Sequence, residues 1–368
     1  MINVIGAGPA GSYASYLLAK QGFEVSLFEE NSTIGRPVQC TGIVTGAFKN
    51  IIDVKDEFLI NSVDTARVHS PGGASVDFKL EKENLIICRT SFDRYVASMA
   101  AEAGTKVHLS HKFMGFGGNN ASIRVLDNKT RETKTLPNNI LIGADGPNSS
   151  VAKAAGIYGN RKFWYGAQAT LRGKFEKNVF EVYLGSIAPN FFAWSVPENE
   201  YFTRIGLAVE SEPNAYFKKL LRHIGADEKD VADYQGGLIP IYNPNVKTQI
   251  GSTYLVGDAS LQVKATTGGG IIHGMLAAKA LANSIKNNRD YEKEWRKTLG
   301  RDLYASHLIR KLFNKFSDRD YNMLLSIVKK EKIKKLIEHH DREFPSKLVA
   351  GMLFREPRFL YFAKILFQ

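Results

Sequence analysis

Ile2-Asn-Val-Ile5-Gly6-Ala-Gly8-Pro-Ala10-Gly11-Ser12, followed by Glu24-Val-Ser-Leu-Phe-Glu29, is the part of the chain from which the rest can be read. Four residues starting at Ile2 form a short apolar strand, and three glycines then follow at the spacing of a tight phosphate-binding turn. Residues 12–21 carry a helical pattern, and a second strand closes on Glu29. A pyrophosphate has to meet backbone N–H groups at a helix N-terminus; glycines let the backbone turn, approach the phosphates and pack there. Glu29 stands 23 positions after Gly6, where a carboxylate would accept from a ribose hydroxyl and repel a 2′-phosphate. Strand, glycine turn, helix, strand and acid in this order predict a dinucleotide-binding βαβ unit. Its cofactor-lining positions are Gly6, Gly8, Ala10, Gly11 and Glu29.

Beyond this unit the pattern changes. From about Ala66 to Cys88 short alternating runs flank Pro71-Gly72-Gly73, the signature of an antiparallel hairpin. Ser91 to Ala103 reads as a helix with Ser91 as N-cap and Gly104 past its end, and strands are expected near Val107, Ile123 and Ile140. Tyr165 to Val209 is aromatic-rich and punctuated by turns, which suits a large antiparallel sheet. A last buried strand, Tyr254 to Val256, leads through a glycine-rich loop into a helix from about Gly269 to Ile285, and everything after Asn288 is helical in pattern, with breaks at Pro345 and Pro357. The expected fold is α/β, a Rossmann-like nucleotide domain with an inserted antiparallel sheet and a helical C-terminal region. The expected boundaries are 1–60, 84–160 and 250–288 for the nucleotide domain, 61–83 and 161–249 for the sheet domain, and 289–368 for the helical region.

With 368 residues, 44% of them apolar and 23% charged, the chain has globular composition, which excludes a disordered or collagen-like protein. Two cysteines, Cys40 and Cys88, are too few and too far apart for a disulfide framework or a cysteine-type zinc site. No histidine stands at ligand spacing with carboxylates, so no metal is expected. The opening strand leaves no room for a signal peptide, and lysines and arginines interrupt each apolar run before spanning length. A cytoplasmic protein is expected, peripheral at most on the inner face of the cell membrane. The net charge is +12, and residues 289–368 hold 19 Lys/Arg against 11 Asp/Glu, or +8 of it. That basic tail, with Phe344, Leu348, Leu353, Phe354, Phe359, Leu360, Phe362, Ile365 and Leu366, has two open readings: contact with anionic lipid, or helices packed on the body with solvated cations. No nucleic-acid module is recognisable, and no nucleic-acid partner is expected.

Two further segments pair with the first. Ile142-Gly-Ala-Asp145-Gly146-Pro-Asn-Ser149 and Tyr254-Leu-Val-Gly257-Asp258-Ala259 are each an apolar strand that stops at an aspartate. Taken singly, each aspartate also suits a turn former or helix cap. In this order, however, the three segments resemble the FAD motifs of the para-hydroxybenzoate hydroxylase-type flavoproteins over about residues 1–290. The resemblance implies FAD as cofactor, with Asp258 on the ribityl chain and Asp145 and Gly146 near the pyrophosphate. Arg89, followed by Phe92-Asp93-Arg94, matches a segment whose arginine approaches the FAD.

Within that superfamily the chain is most similar to the geranylgeranyl reductases, especially the archaeal ones that saturate prenyl chains of membrane lipids. Gly35-Arg36-Pro-Val-Gln-Cys40-Thr-Gly42 resembles the segment that carries a cysteine facing the flavin cavity. Lys264-Ala-Thr-Thr-Gly268-Gly269-Gly270-Ile271 resembles the glycine loop beside the isoalloxazine ring. Pro189-Asn-Phe191-Phe192-Ala-Trp194-Ser-Val196-Pro197 is similar to a family pattern of proline, tyrosine, tryptophan, aromatic and proline, from which it departs at Phe192 and Val196. Phe192 lacks a hydroxyl, so only a shape role carries over to it. The resemblance implies an FAD-dependent reductase acting on geranylgeranyl chains by hydride from reduced flavin plus a proton. Arg36, Gly268, Gly269, Gly270 and Ile271 would join the cofactor site. Trp164, Tyr183, Phe191, Phe192 and Trp194 would bind the prenylated lipid. Cys40 is the catalytic candidate, as proton donor, gate or redox-sensitive thiol, against the competing reading of a small buried side chain. The electron donor, whether ferredoxin, NAD(P)H or another, is open. An aromatic monooxygenase or halogenase of the same superfamily is the alternative function.

Overall fold

Ile2–Ile5 is buried at all four positions, as expected of a strand covered on both faces of a parallel sheet. In the computed structural model, which describes residues 1–340, 342–356, 358, 359, 361 and 362, this strand lies inside a six-stranded sheet. Its neighbours are Ile140–Gly143 and Val25–Glu29, both parallel; Lys106–Leu109 and Thr253–Leu255 extend the parallel array, and Gln249–Ile250 adds an antiparallel edge. Because the strands that precede Gly6, Asp145 and Asp258 are adjacent and parallel, the three motifs leave the sheet at the same end. That end is where open α/β sheets bind ligands.

The sheet belongs to the first of two units, made of Met1–Val38, Arg89–Lys162 and Pro240–Leu303. The fingerprint helix spans Pro9–Lys20 and buries Ala14 and Leu18 completely. It begins three residues before the expected Ser12, because Pro9, with its preset φ and missing N–H, suits the first turn. The helix expected from Ser91 spans Arg89–Glu102; Arg89 pairs with Asp93 one turn on, so the helix starts two residues ahead of the anticipated cap. A small antiparallel sheet, His111–Phe116, Ser122–Asp127 and Thr133–Pro137, completes the unit, with Phe113, Ile123 and Val125 buried among Phe28, Leu141 and Val151.

The second unit comprises Gln39–Cys88, Phe163–Ile239 and the chain from Tyr304. Its eight-stranded sheet runs in the order Val231–Pro240, Phe163–Arg172, Phe202–Val209, Ala193–Pro197, Val179–Tyr183, Leu59–His69, Ser75–Ile87, Ile43–Val44. The expected Pro71–Gly73 turn closes the hairpin of Leu59–His69 and Ser75–Ile87. The C-terminal helices do not form a unit of their own: residues 289–303 group with the nucleotide sheet and the later ones with the large sheet, as does the segment 39–60. One face of that sheet packs against Pro213–His223 through Ala169, Leu207, Phe217 and Leu221. The other packs against Asp318–Val328 and Glu331–Glu338 through Val63, Phe78, Leu325 and Ile333. At about 1.5–3 kcal/mol per buried large side chain, both faces are held by apolar burial rather than by their exposed ion pairs.

Phe359 and Phe362 are buried in this second cluster, so these two tail aromatics pack on the body, whereas Phe344 is exposed. Pro345 opens the helix Pro345–Arg355 instead of breaking one, while Pro357, Leu360, Ile365 and Leu366 lie outside the described residues. Among the described residues no helix is long and apolar enough to cross a membrane.

Candidate functional site

The glycine turn of the first unit is built by close approach. Gly6 has φ +100°, and a Cβ there would lie 2.4 Å from the Ala144 carbonyl oxygen; a Cβ on Gly11 would lie 2.0 Å from the Gly6 oxygen. Gly8 differs, since a Cβ on it would meet nothing within 4 Å. Gly8 is also the N-cap of the Pro9–Lys20 helix, and no side chain caps the first turn. The open space and the uncapped N–H groups form a cradle for an anionic group, and the helix dipole favours the same charge. Glu29 closes one side of it: its carboxylate accepts from the Ala7 N–H at 2.9 Å and from the Asn31 N–H at 3.0 Å.

The second motif curls around its aspartate. Asp145 accepts from Ser149 Oγ, from Ser150 N and Oγ and from Val151 N, at 2.5 to 3.1 Å. These bonds fix the loop that presents Gly146, at φ +76°, so Asp145 shapes its own turn.

Asp258, half-buried in the third motif, has its carboxyl pushed up to about 6 by desolvation while the nearby Arg89 guanidinium pulls it back. Arg89 itself forms a two-point bond to Asp93, at 3.0 and 2.8 Å. Gly270, N-cap of the helix Ile271–Lys286, faces Asp258; a Cβ there would lie 2.7 Å from the carboxylate oxygen. Gly268 takes φ +68°, and the Lys264 backbone closes the loop by donating to Gly269 and accepting from Gly268. Gly35 lies against the start of the Arg89–Glu102 helix, its carbonyl accepting from Thr90 Oγ1, and leaves Arg36 exposed.

Two residues that no motif announces bind these loops together. Arg161, nine-tenths buried, donates to the carbonyls of Pro147 at 3.1 Å and Ala259 at 2.8 Å, joining the second and third motifs. Gly274 lets the helix Ile271–Lys286 approach the fingerprint: a Cβ on it would lie 3.2 Å from Gly257 Cα and 3.3 Å from the Ala10 methyl. Arg161→Gln is therefore expected to weaken FAD binding about tenfold through the lost charged hydrogen bonds, measured by titrating the apo-protein with FAD. Wild-type affinity in that variant would remove Arg161 from the site.

In the second unit, the pleat sorts the candidate lining residues. Trp194 pairs with Gly206, and Gly206 with Gln168, so the three share a face; Trp164 lies on it too, four positions before Gln168. Trp164 contacts Phe191 at 4.6 Å, Phe191 stacks on Phe192 at 4.3 Å, and Phe192 meets Trp194 edge-on at 5.8 Å. Four of the five expected substrate residues thus form one continuous row. The fifth does not join it. Tyr183 pairs with Ala193, one residue out of phase with Trp194, so its ring emerges on the opposite face, where it stacks on His69 at 4.5 Å and bonds to Glu181. Its hydroxyl is held well above the usual range by burial and by that carboxylate, and its expected place in the prenyl lining is corrected to a core role. Arg310 lies over Phe191 at 4.8 Å, with burial pushing its guanidinium down to about 10.

Cys40 is partly exposed, and its Sγ accepts the Gly42 N–H at 3.3 Å. Gly42, at φ +75°, is wedged against the Ile87 carbonyl and Arg204. Cys88 lies just past the Ser75–Ile87 strand, and its N–H donates to Phe58.

A dinucleotide cradle, three converging loops and a large mixed sheet, antiparallel except where Val179–Tyr183 runs parallel to Leu59–His69, define an FAD flavoprotein of the para-hydroxybenzoate hydroxylase type. Residues 1–290 match the FAD binding domain family. The chain is 31% identical to a digeranylgeranylglycerophospholipid reductase from Methanothrix thermoacetophila, over 91% of this chain and 93% of that one. It is also 31% identical to digeranylgeranylglycerophospholipid reductase 2 from Methanothermobacter thermautotrophicus, over 88% and 90% of the two chains. Among solved structures it is similar to a geranylgeranyl bacteriochlorophyll reductase-like protein from Thermoplasma acidophilum, with TM-score 0.86, 21% identity and coverage of 99% and 98%. A flavin-dependent brominase matches with TM-score 0.75 at 15% identity, over 99% of both chains. These two likenesses concern the fold. The chain belongs to the FAD-binding family and, within it, to the geranylgeranyl reductases; it is a flavin-dependent oxidoreductase with FAD as its cofactor.

Proposed function

We propose that this chain saturates C=C bonds in the geranylgeranyl chains of archaeal-type membrane lipids. The observation that carries the reading is the part-exposed pair Phe192 and Trp194, backed in one row by the buried Phe191 and Trp164, beside relatives named for such a reduction. A long isoprenoid laid on aromatic rings gains about 25 cal/mol per Å² of apolar surface buried, and the same burial excludes water. The Gly8 cradle would take the FAD pyrophosphate, Glu29 the adenosine ribose, Asp258 the ribityl hydroxyls, and the loop Gly268 to Ile271 would help hold the flavin. When bound and reduced, FAD supplies the hydride that no side chain can. The protein has to hold a proton for the second carbon. Cys40 carries the one ionisable side chain of the segment Gln39–Gly42, and we assign the proton to its Sγ.

The test is anaerobic incubation of dithionite-reduced holoenzyme with geranylgeranyl glycerophospholipids, read by mass spectrometry. Stepwise addition of hydrogen pairs is expected. Unchanged lipid in the presence of bound FAD would overturn the proposal.

A further inference from the structure

Gln168 is a carboxamide in a strand that otherwise turns Ala167, Ala169 and Leu171 into the core, and it is 6% exposed. An amide buried there has to find partners or weaken the sheet. It finds three. Its Oε1 accepts from the Thr41 hydroxyl at 2.6 Å and from the Trp194 indole N–H at 2.9 Å, and its Nε2 donates to Gln235 Oε1 at 2.9 Å. One oxygen therefore ties the residue next to Cys40 to the end of the aromatic row. The backbone of the same segment is held from its other side: Arg204, itself charge-balanced by Glu198 at 2.6 Å, donates to the carbonyls of Thr41 and Ile87. With Gly42 locked between Ile87 and Arg204, the segment has no slack to shift without breaking the bond to Gln168.

We infer that Gln168 is a positioning residue for the reduction, setting Cys40 and Trp194 in a common register through a shared acceptor. The inference rests on the proposed role of Cys40. A residue that only filled the sheet would be replaceable by any side chain of its shape, whereas a shared acceptor is replaceable only by another acceptor. Glu at this position keeps the acceptor oxygen and puts a second one in place of Nε2, to which Gln235 can donate by turning its amide. Leu keeps the volume and removes the acceptor, leaving the Thr41 O–H and Trp194 N–H unsatisfied.

The experiment uses FAD-loaded full-length protein in a Cys88→Ser background, so that a thiol-specific disulfide reagent reports Cys40. Gln168→Leu is expected to change the Cys40 labelling rate about tenfold and to lower kcat on geranylgeranyl glycerophospholipid by a similar factor, with KM moving less than about twofold. Thr41→Val, which removes one hydroxyl and keeps the shape, is expected to move both readouts in the same direction, and it carries the test if Gln168→Leu does not fold. Gln168→Glu is expected to restore them. Labelling and kcat within about twofold of the parent in both Gln168→Leu and Thr41→Val would overturn the inference, as would a Gln168→Glu as impaired as the leucine variant. A parent enzyme that labels normally and leaves the lipid unchanged would instead sink the proposed function, while the labelling rates of the variants still decide the clamp.

Discussion

Gly11→Ala is expected to give protein without bound FAD. The added methyl carbon would lie 2.0 Å from the Gly6 carbonyl oxygen and 2.9 Å from the Ala144 methyl, and a backbone carbonyl inside the turn cannot rotate away as a flexible side chain can. The helix would have to lift off the strand, at a cost beyond the roughly 1–3 kcal/mol of ordinary overpacking. Flavin absorbance in the purified protein checks it, with less than about a tenth of wild-type content expected. Gly8→Ala is the informative contrast. Its φ of −71° and ψ of 179° suit alanine, and its methyl meets no protein atom within 4 Å. That variant is expected to fold with wild-type stability and to lose FAD affinity, because the methyl occupies the space a pyrophosphate needs. Wild-type FAD affinity in Gly8→Ala would mean that the cradle is not where the cofactor binds.

Asp258→Asn is expected to stabilise the apo-protein and to weaken FAD binding. Burial lifts the Asp258 carboxyl from 3.8 to about 6 against the pull of Arg89. A folded-state pKa above the unfolded one means that the native state holds the proton more tightly. The stabilisation is complete below pH 3.8 and is lost as the pH rises through about 6, at a cost on the order of 3 kcal/mol. Above that pH the charge destabilises the flavin-free protein. At pH 8 the asparagine variant should therefore unfold a few degrees higher than wild type in the absence of flavin, and its Tm should lack the wild-type decline between pH 4 and 7. FAD titration of the same two proteins should favour the wild type about tenfold or more, through the lost charge-assisted hydrogen bonds. Identical pH profiles would dismiss the buried-charge account.

The nucleotide unit was readable because its information is local. Gly6, Gly8, Gly11 and Glu29 sit within one βαβ segment, so their spacing can be read without the rest of the chain, although Ala144 of the second motif also crowds Gly6 and Gly11. The second motif was readable as a turn, and its aspartate does form one. The helix starts were less legible, since Pro9 and the Arg89–Asp93 pair each extend a helix ahead of the first apparent cap. Arg161 carried no signal, because its role depends on two carbonyls, one of them 98 residues away. Gln168 was equally silent: the hydroxyl it receives comes from 127 residues earlier in the chain.

The aromatic residues divide along the same line. Phe191, Phe192 and Trp194 are near neighbours around one strand start, so a motif of the family could group them without the sheet. Tyr183 could not be assigned from its own surroundings, because its face depends on which residue of Ala193–Pro197 pairs with it. The ladder sets Tyr183 opposite Ala193 and Val182 opposite Trp194; a slip of one residue would have exchanged the faces. The amino-acid sequence by itself determined the flavin fold, the cradle and the family, because these rest on local backbone chemistry repeated at fixed spacing. Only the tertiary structure decided which aromatic rings share a face and what ties Thr41, next to Cys40, to Trp194, because strand register and long-range hydrogen bonds exist only once the sheet has formed.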